Sequence, residues 1–411
     1  MNEDMRNENI ENVEENNNET LTSNMQTNIV AKNAISDAIS KYRPNISGSS
    51  FDSNDKKMKF FLVLAIIAVL VVVLLLLLSS GSKVTNYSDI EDIMVKTAQN
   101  YYKTNNNLLP KTNGGSVEVS AQKLINANLM ADFSKYSKSS CRGKVVVYNN
   151  DDNYVYVPYL DCGEAYKTEE LYRTLTKSDK IVTTGNGIYN YSGEYLFRGD
   201  NVDNYVSIND KLWRVVKVTN DNLVELIYAN AATISYPFDD RYNVEKGYAI
   251  GNNDFKVSRI NDTLKIISED KVKNETFFDD TVKNHMVSHV YCLDRIDNNY
   301  RPSNCSSYSE PMKVGLITVS EYMNASLDTN CNVISSKSCQ NYNYLVNKNY
   351  SFWTMNASNQ NSYQVYYIED NGTIYLSNAV SYKRIRPVIY LDSTTMYKSG
   401  SGTLEDPYII K

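Results

Sequence analysis

Six cysteines and two histidines are the most reactive side chains in this 411-residue sequence. Cys141, Cys162, Cys292, Cys305, Cys331 and Cys339 form an even set with no close C-x-x-C. Such a set suits disulfides in an oxidising compartment, or thiolate ligation of zinc. Neither Cys141 nor Cys162 has a second ligand nearby in sequence, which favours the disulfide. Neighbour pairing is the simplest of the fifteen connectivities that six cysteines allow. It would join Cys141 to Cys162, Cys292 to Cys305 and Cys331 to Cys339.

His285 and His289 stand four apart in Asn284-His-Met-Val-Ser-His289. On a helix that spacing puts both rings on one face, as a metal pair requires. A zinc-protease helix would carry Glu after the first His as its base, and here Met286 stands there. The pair therefore also reads as an ordinary helix face. The adjacent acids Asp239-Asp240 and Asp279-Asp280 suit solvated turns, or a catalytic or calcium role. No Gly-x-Ser-x-Gly elbow occurs, and neither histidine has an obvious Ser or Cys partner. No residue is assigned as catalytic, cofactor-binding or metal-ligating.

The elements around these groups begin with a long apolar run. Phe60 to Leu78 contains no polar side chain. At about 1.5 Å per residue, nineteen helical residues match the hydrocarbon core of a bilayer. Lys41, Arg43, Lys56, Lys57 and Lys59 precede the run closely, and only Lys83 and Lys96 follow it. Positive charge stays inside, so a signal anchor is expected, with residues 1–58 cytoplasmic and the remainder extracellular. The expected tail, 1–58, is rich in Asn and Glu and reads as disordered, with a patch from Ile29 to Tyr42 that could dock on a partner. Residues 59–79 form the expected transmembrane helix. Beyond Lys59 the chain carries 35 basic and 38 acidic groups, which leaves no electrostatic footprint for nucleic acid.

A small α+β unit is expected over 84–178. Ser88-Asp-Ile-Glu91 reads as a capping box for a helix running to about Asn105. A second helix fits Ser120 to Asn128. Val145–Tyr148 and Tyr154–Tyr159 then alternate with period two around a turn. If Tyr148 faces Tyr154, paired numbers add to 302. Cys141 and Cys162 add to 303 and fall almost opposite one another, within disulfide reach.

A β-rich domain is expected over 182–411. Tyr205–Ile208, Leu212–Val218 and Leu223–Tyr228 read as a meander. Helices fit 278–289 and Thr318–Ala325. Tyr363–Ile368 and Thr373–Leu376 flank Asn371-Gly372, and Arg386–Leu391 is a further strand. Tyrosine is abundant, with all but one of 34 lying beyond the apolar run among Asn and Ser. That mixture is typical of recognition surfaces, although an AT-rich genome gives the same bias. Trp353 suits either the core or a ligand platform.

Several segments carry a resemblance. They are Leu196-Phe-Arg-Gly199, Asn204-Tyr-Val206, Leu212-Trp-Arg-Val-Val216, Val314–Tyr322, Phe352-Trp-Thr-Met355, Arg386-Pro-Val-Ile389 and Gly402–Tyr408. In this order they resemble a family of uncharacterised exported proteins of low-GC, Gram-positive-type bacteria. The family's carboxy-terminal domain resembles the C-type-lectin-like fold shared with formylglycine-generating (sulfatase-modifying) enzymes. The resemblance implies that fold over about 190–411 and implies no activity. No cysteine here maps onto the enzymes' reactive pair.

The expected fold class is α+β, with an N-terminal transmembrane helix, a small α+β extracellular unit and a β-rich C-type-lectin-like domain. The expected role is recognition or adhesion at the cell surface, of a glycan, a cell-wall polymer or a protein. An envelope enzyme and a structural subunit of an envelope complex are the alternatives.

Overall fold

A computed structural model of the protein describes residues 86–137, 139–150 and 153–411. The meander is built as its alternation dictates. Tyr205–Ile208 buries Val206 and Ile208 and leaves Tyr205 and Ser207 half-buried. Asn209 and Asp210 both take positive φ, 49° and 55°, as a two-residue turn matching the strand twist requires. The chain returns along Lys211–Val218, with Val206 opposite Trp213, and then along Val224–Tyr228. These strands belong to a ten-stranded sheet. Its main path runs Met286–Val287, Val388–Leu391, Val224–Tyr228, Lys211–Val218, Tyr205–Ile208, Tyr408–Ile410, Tyr397–Ser399. Val224–Tyr228 and Val388–Leu391 are buried at every position, which makes them the centre of the domain. Tyr408–Ile410 adds in parallel beside Tyr205–Ile208.

The α+β expectation is corrected. The described chain is β-rich, with twenty strands and six α-helices, five of them ten residues or shorter. Short helices cannot form a layer of their own. The expected transmembrane helix is not supported either. No described helix is long and apolar enough to cross a membrane. The longest, Tyr87–Thr104, carries Asp89, Glu91, Asp92, Lys96 and Lys103. The tail 1–58 and the run Phe60–Leu78 lie outside the described residues.

Residues 86–166 build a second hydrophobic cluster. Ile90, Met94, Ala98 and Tyr102 of the long helix pack on Val145, Val147 and Leu160 of a three-stranded sheet. The helix starts earlier than its sequence signal. Asn86 is the cap, accepting from Ser88 N at 3.0 Å. Glu91 is instead fully buried and accepts from Tyr166 Oη, Thr168 Oγ1 and Lys411 Nζ. The hairpin register is shifted by one from expectation. Arg142 faces Asp161 and Tyr148 faces Val155, so paired numbers add to 303 and Cys141 stands directly opposite Cys162. Ser120 caps Ala121–Asn126, and Thr318 makes a full capping box with Glu321.

The resemblance segments do structural work here. Arg214 is buried and donates to Asn204 Oδ1, Tyr205 Oη and Val202 O. Gly402, at φ 87°, has no room for a Cβ beside the Tyr408 ring and Asp203 O, and its carbonyl accepts from Tyr205 N. Gly199, at φ 116°, is held between Ala325 O and Tyr344 N.

Candidate recognition surface

A second three-stranded sheet, Phe352–Ala357, Gln364–Ile368 and Ile374–Asn378, carries an aromatic row across one face. Trp353 is paired with Tyr367, and Tyr367 with Tyr375. Directly opposed residues share a face, so the three rings form one line. Exposure rises along it, from 0 % at Trp353 through 8 % at Tyr367 to 40 % at Tyr375. Trp353 is thus core, with its Nε1 donating to Tyr236 O at 2.9 Å. The strand pair Tyr236–Pro237 and Tyr382–Lys383 adjoins the row. From it Lys383 Nζ stands 3.8 Å from the Tyr367 ring centroid, and Tyr382 is 65 % exposed.

A buried polar lattice brings more tyrosines to this end of the domain. Asp239 is fully buried and accepts from Arg241 Nε at 2.7 Å, Asn252 N at 2.9 Å and Arg259 N at 3.2 Å. The adjacent acids therefore divide their roles, with Asp239 a buried hub and Asp240 an exposed partner of Arg259. Asn243 Nδ2 reaches Gly251 O and Ser362 Oγ, and Asn253 Nδ2 reaches Asn361 O and Gln364 O. Val380 N donates to Ile250 O. These bonds fix the short hairpin Tyr242–Asn243 and Tyr248–Ala249 beside the three-stranded sheet, with Tyr242 and Tyr248 exposed. Lys246 Nζ lies 4.8 Å from the Tyr363 ring centroid. Tyr242, Tyr248, Tyr375 and Tyr382 are thus exposed on these strands, with Tyr363 half-buried and two lysines in ring contact. Such a surface offers apolar ring faces with hydrogen-bonding rims and positive charge.

Gly251 is the pivot of the lattice. It sits at φ 82°, and a Cβ there would lie 1.9 Å from Asp239 O. Gly251→Ala is expected to cost about 2–4 kcal/mol, from left-handed strain plus overpacking. Chemical denaturation checks this, and a loss below about 0.5 kcal/mol would mean that the lattice relaxes freely.

The residues singled out for chemistry fall elsewhere. Cys141–Cys162, Cys292–Cys305 and Cys331–Cys339 are joined as disulfides. Cys292, Asp294 and Cys305 lie close enough to suggest a metal, the one such group among the described residues. Both sulfurs are spent in the disulfide, and Asp294 Oδ1 accepts from the Ser306 and Ser307 amides, so the group is a structural turn. The histidines do not share a helix face. The helix Asp280–His285, capped by Asp279, ends at the first of them. His285 Nδ1 pairs with Asp392, whereas His289 lies 4.1 Å from the Tyr390 ring, centroid to centroid.

A cluster of titratable groups escaped the sequence reading. Lys217 pairs with Glu321 at 2.8 Å, Glu225 at 3.3 Å and Glu194 at 3.7 Å. Burial, reinforced by the Glu321 charge, pushes the Glu225 carboxyl up to about 8, which favours its neutral form. Glu321 is lowered, because Lys217 and the Thr318 donors outweigh its burial. Period-two alternation does put Lys217 and Glu225 on strands, but only cross-strand register and the distant Glu321 make them a group. Cavities of about 530, 350 and 250 Å³ are lined by other residues, near Cys141, Tyr159 and His285.

Comparison with known proteins gives no relative. No family model, no curated protein and no solved structure matches this chain.

Proposed function

We propose that this protein is a cell-surface recognition protein that binds a glycan or cell-wall polymer through the tyrosine-rich end of its β-rich domain. The observation carrying this reading is the row Trp353–Tyr367–Tyr375, which runs from the core to solvent on a domain that also exposes Tyr382, Tyr242 and Tyr248. The Tyr367 ring packs against Tyr375, centroids 6.4 Å apart, so little side-chain entropy is lost there on binding. Sugar rings present C–H faces to such aromatic planes and hydroxyls to their rims. Three disulfides agree with function in an oxidising compartment. The lectin-like resemblance of the sequence points the same way.

Binding to arrays of glycans and to purified cell-wall polymers tests the proposal. Tyr375→Ala and Tyr382→Ala are each expected to weaken binding about tenfold, which corresponds to about 1.4 kcal/mol. Saturable binding unchanged in the double variant would place the ligand elsewhere. Absence of binding by folded, oxidised protein would turn the reading towards a protein partner. An envelope enzyme is the second reading. The Lys217–Glu225–Glu321 cluster favours it, because shifted carboxylates of opposite charge state are acid–base equipment.

A further inference from the structure

We propose that Lys217 and Glu225 condense to an internal amide cross-link, with Glu321 as the proton acceptor. Four observations place the reactants. Lys217 and Glu225 are direct cross-strand partners at the centre of the ten-stranded sheet. Lys217 Nζ stands 3.3 Å from Glu225 Oε2. Glu225 is 1 % exposed, and Lys217 and Tyr390 are polar groups set against its carboxyl. A buried carboxyl is costly to keep, and an amide bond would remove it together with the charge of the lysine. Glu321 is fixed for its task. Its Oε2 accepts from the amide and hydroxyl of Thr318 at 2.9 and 2.8 Å, which leaves Oε1 for Lys217 at 2.8 Å.

The step balances without any added reagent. Glu321 takes a proton from the Lys217 ammonium, and the freed amine attacks Cδ of the neutral Glu225 carboxyl. The new C–N bond forms as the C–O bond to the hydroxyl breaks, and one water leaves. Of the two protons lost by the ammonium, one departs in that water and the other remains on Glu321. Neutral Glu225 matters because a carboxylate would resist attack, and burial favours that form. Lys217 rests as the ammonium, raised above its ordinary value by Glu321 and Glu225, so the amine is a minor species. A single-turnover maturation tolerates a slow step, and the preset geometry makes it effectively unimolecular. Tyr390 lies opposite Glu225 on the other neighbouring strand, and its ring centroid is 5.6 Å from that of Tyr291. These rings shield the product from hydrolysis.

Intact mass of the purified full chain, after reduction and denaturation, is the test. The expected value is the sequence mass less one water, with a tryptic map in which Lys217 is uncut and the single peptide from Val215 to Arg241, which holds both residues, is itself lighter by one water. Lys217→Arg and Glu225→Ala should each restore the full mass. Glu321→Gln should leave a mixture or the uncrosslinked form. Full sequence mass in the wild type, with Lys217 open to amine acylation after denaturation, overturns the proposal whether or not any variant folds.

Discussion

Arg386→Ala is expected to destabilise the protein by about 3–5 kcal/mol, a large part of a typical domain's total stability. Arg386 is 2 % exposed and has no carboxylate partner. Its guanidinium is solvated by backbone instead. Nε donates to Tyr228 O at 3.0 Å, Nη1 to Leu345 O at 2.7 Å and Nη2 to Ala229 O at 3.4 Å. Its underside rests on the Phe352 ring at 4.8 Å. Burial draws it down to about 10, so it remains charged at neutral pH. Truncation would orphan the two buried carbonyls of Tyr228 and Leu345 and open a cavity between the central strands and the loop at Leu345. Arg386→Lys should recover only part of the loss, because one ammonium cannot span the fork of acceptors. Urea midpoints of the two variants decide the matter. An alanine variant within 1 kcal/mol of wild type would show that water replaces the guanidinium at no great cost.

Removing the Cys141–Cys162 bond should cost about 3 kcal/mol by chain entropy, from its sequence separation of 21. The bond closes the open end of the hairpin Arg142–Asn150 and Asn153–Asp161, beside the Arg142–Asp161 ion pair. That ion pair is largely exposed and contributes little by itself. Cys141→Ser with Cys162→Ser is therefore expected to loosen the 86–166 cluster first. Hydrogen exchange would read this as faster exchange along Val145–Val147, with Val224–Tyr228 unchanged. A reductant should then lower wild-type stability further than that of the double variant, because the variant has one bond fewer to lose. Equal shifts would mean that this bond constrains nothing.

The two chemical features of the domain rest on different physical bases. The tyrosine face needs rigid exposed rings, which the Asp239–Asn243–Asn253 lattice supplies from beneath. The Lys217 cluster needs exclusion of water, which the central strands provide. A substitution in one should leave the other intact, since they lie on different sheets.

Local signals in the sequence were sufficient for local structure. Alternation gave the meander, Asn209-Asp210 its turn, and Ser120 and Thr318 their helix caps. Neighbour pairing of the cysteines follows from short loops that strands and turns can close. The helix Arg259–Ser268 was equally legible, with Ser258 as cap and Ile260, Leu264 and Ile267 on its buried face, but was not read. Other elements were decided by competition among distant groups. Glu91 reads as half of a capping box and is drawn instead into the core by Tyr166, Thr168 and Lys411. The hairpin register is one residue off from sequence, because turn composition alone does not choose between registers that differ by a single position. His285 ends its helix because Asp392, 107 residues away, takes its ring. Sequence by itself therefore determined the strands and disulfide loops, whose energies come from neighbours along the chain. Only the tertiary structure decided the β-rich class, the aromatic row and the Lys217–Glu225–Glu321 group, because cross-strand register and burial belong to the assembled sheet.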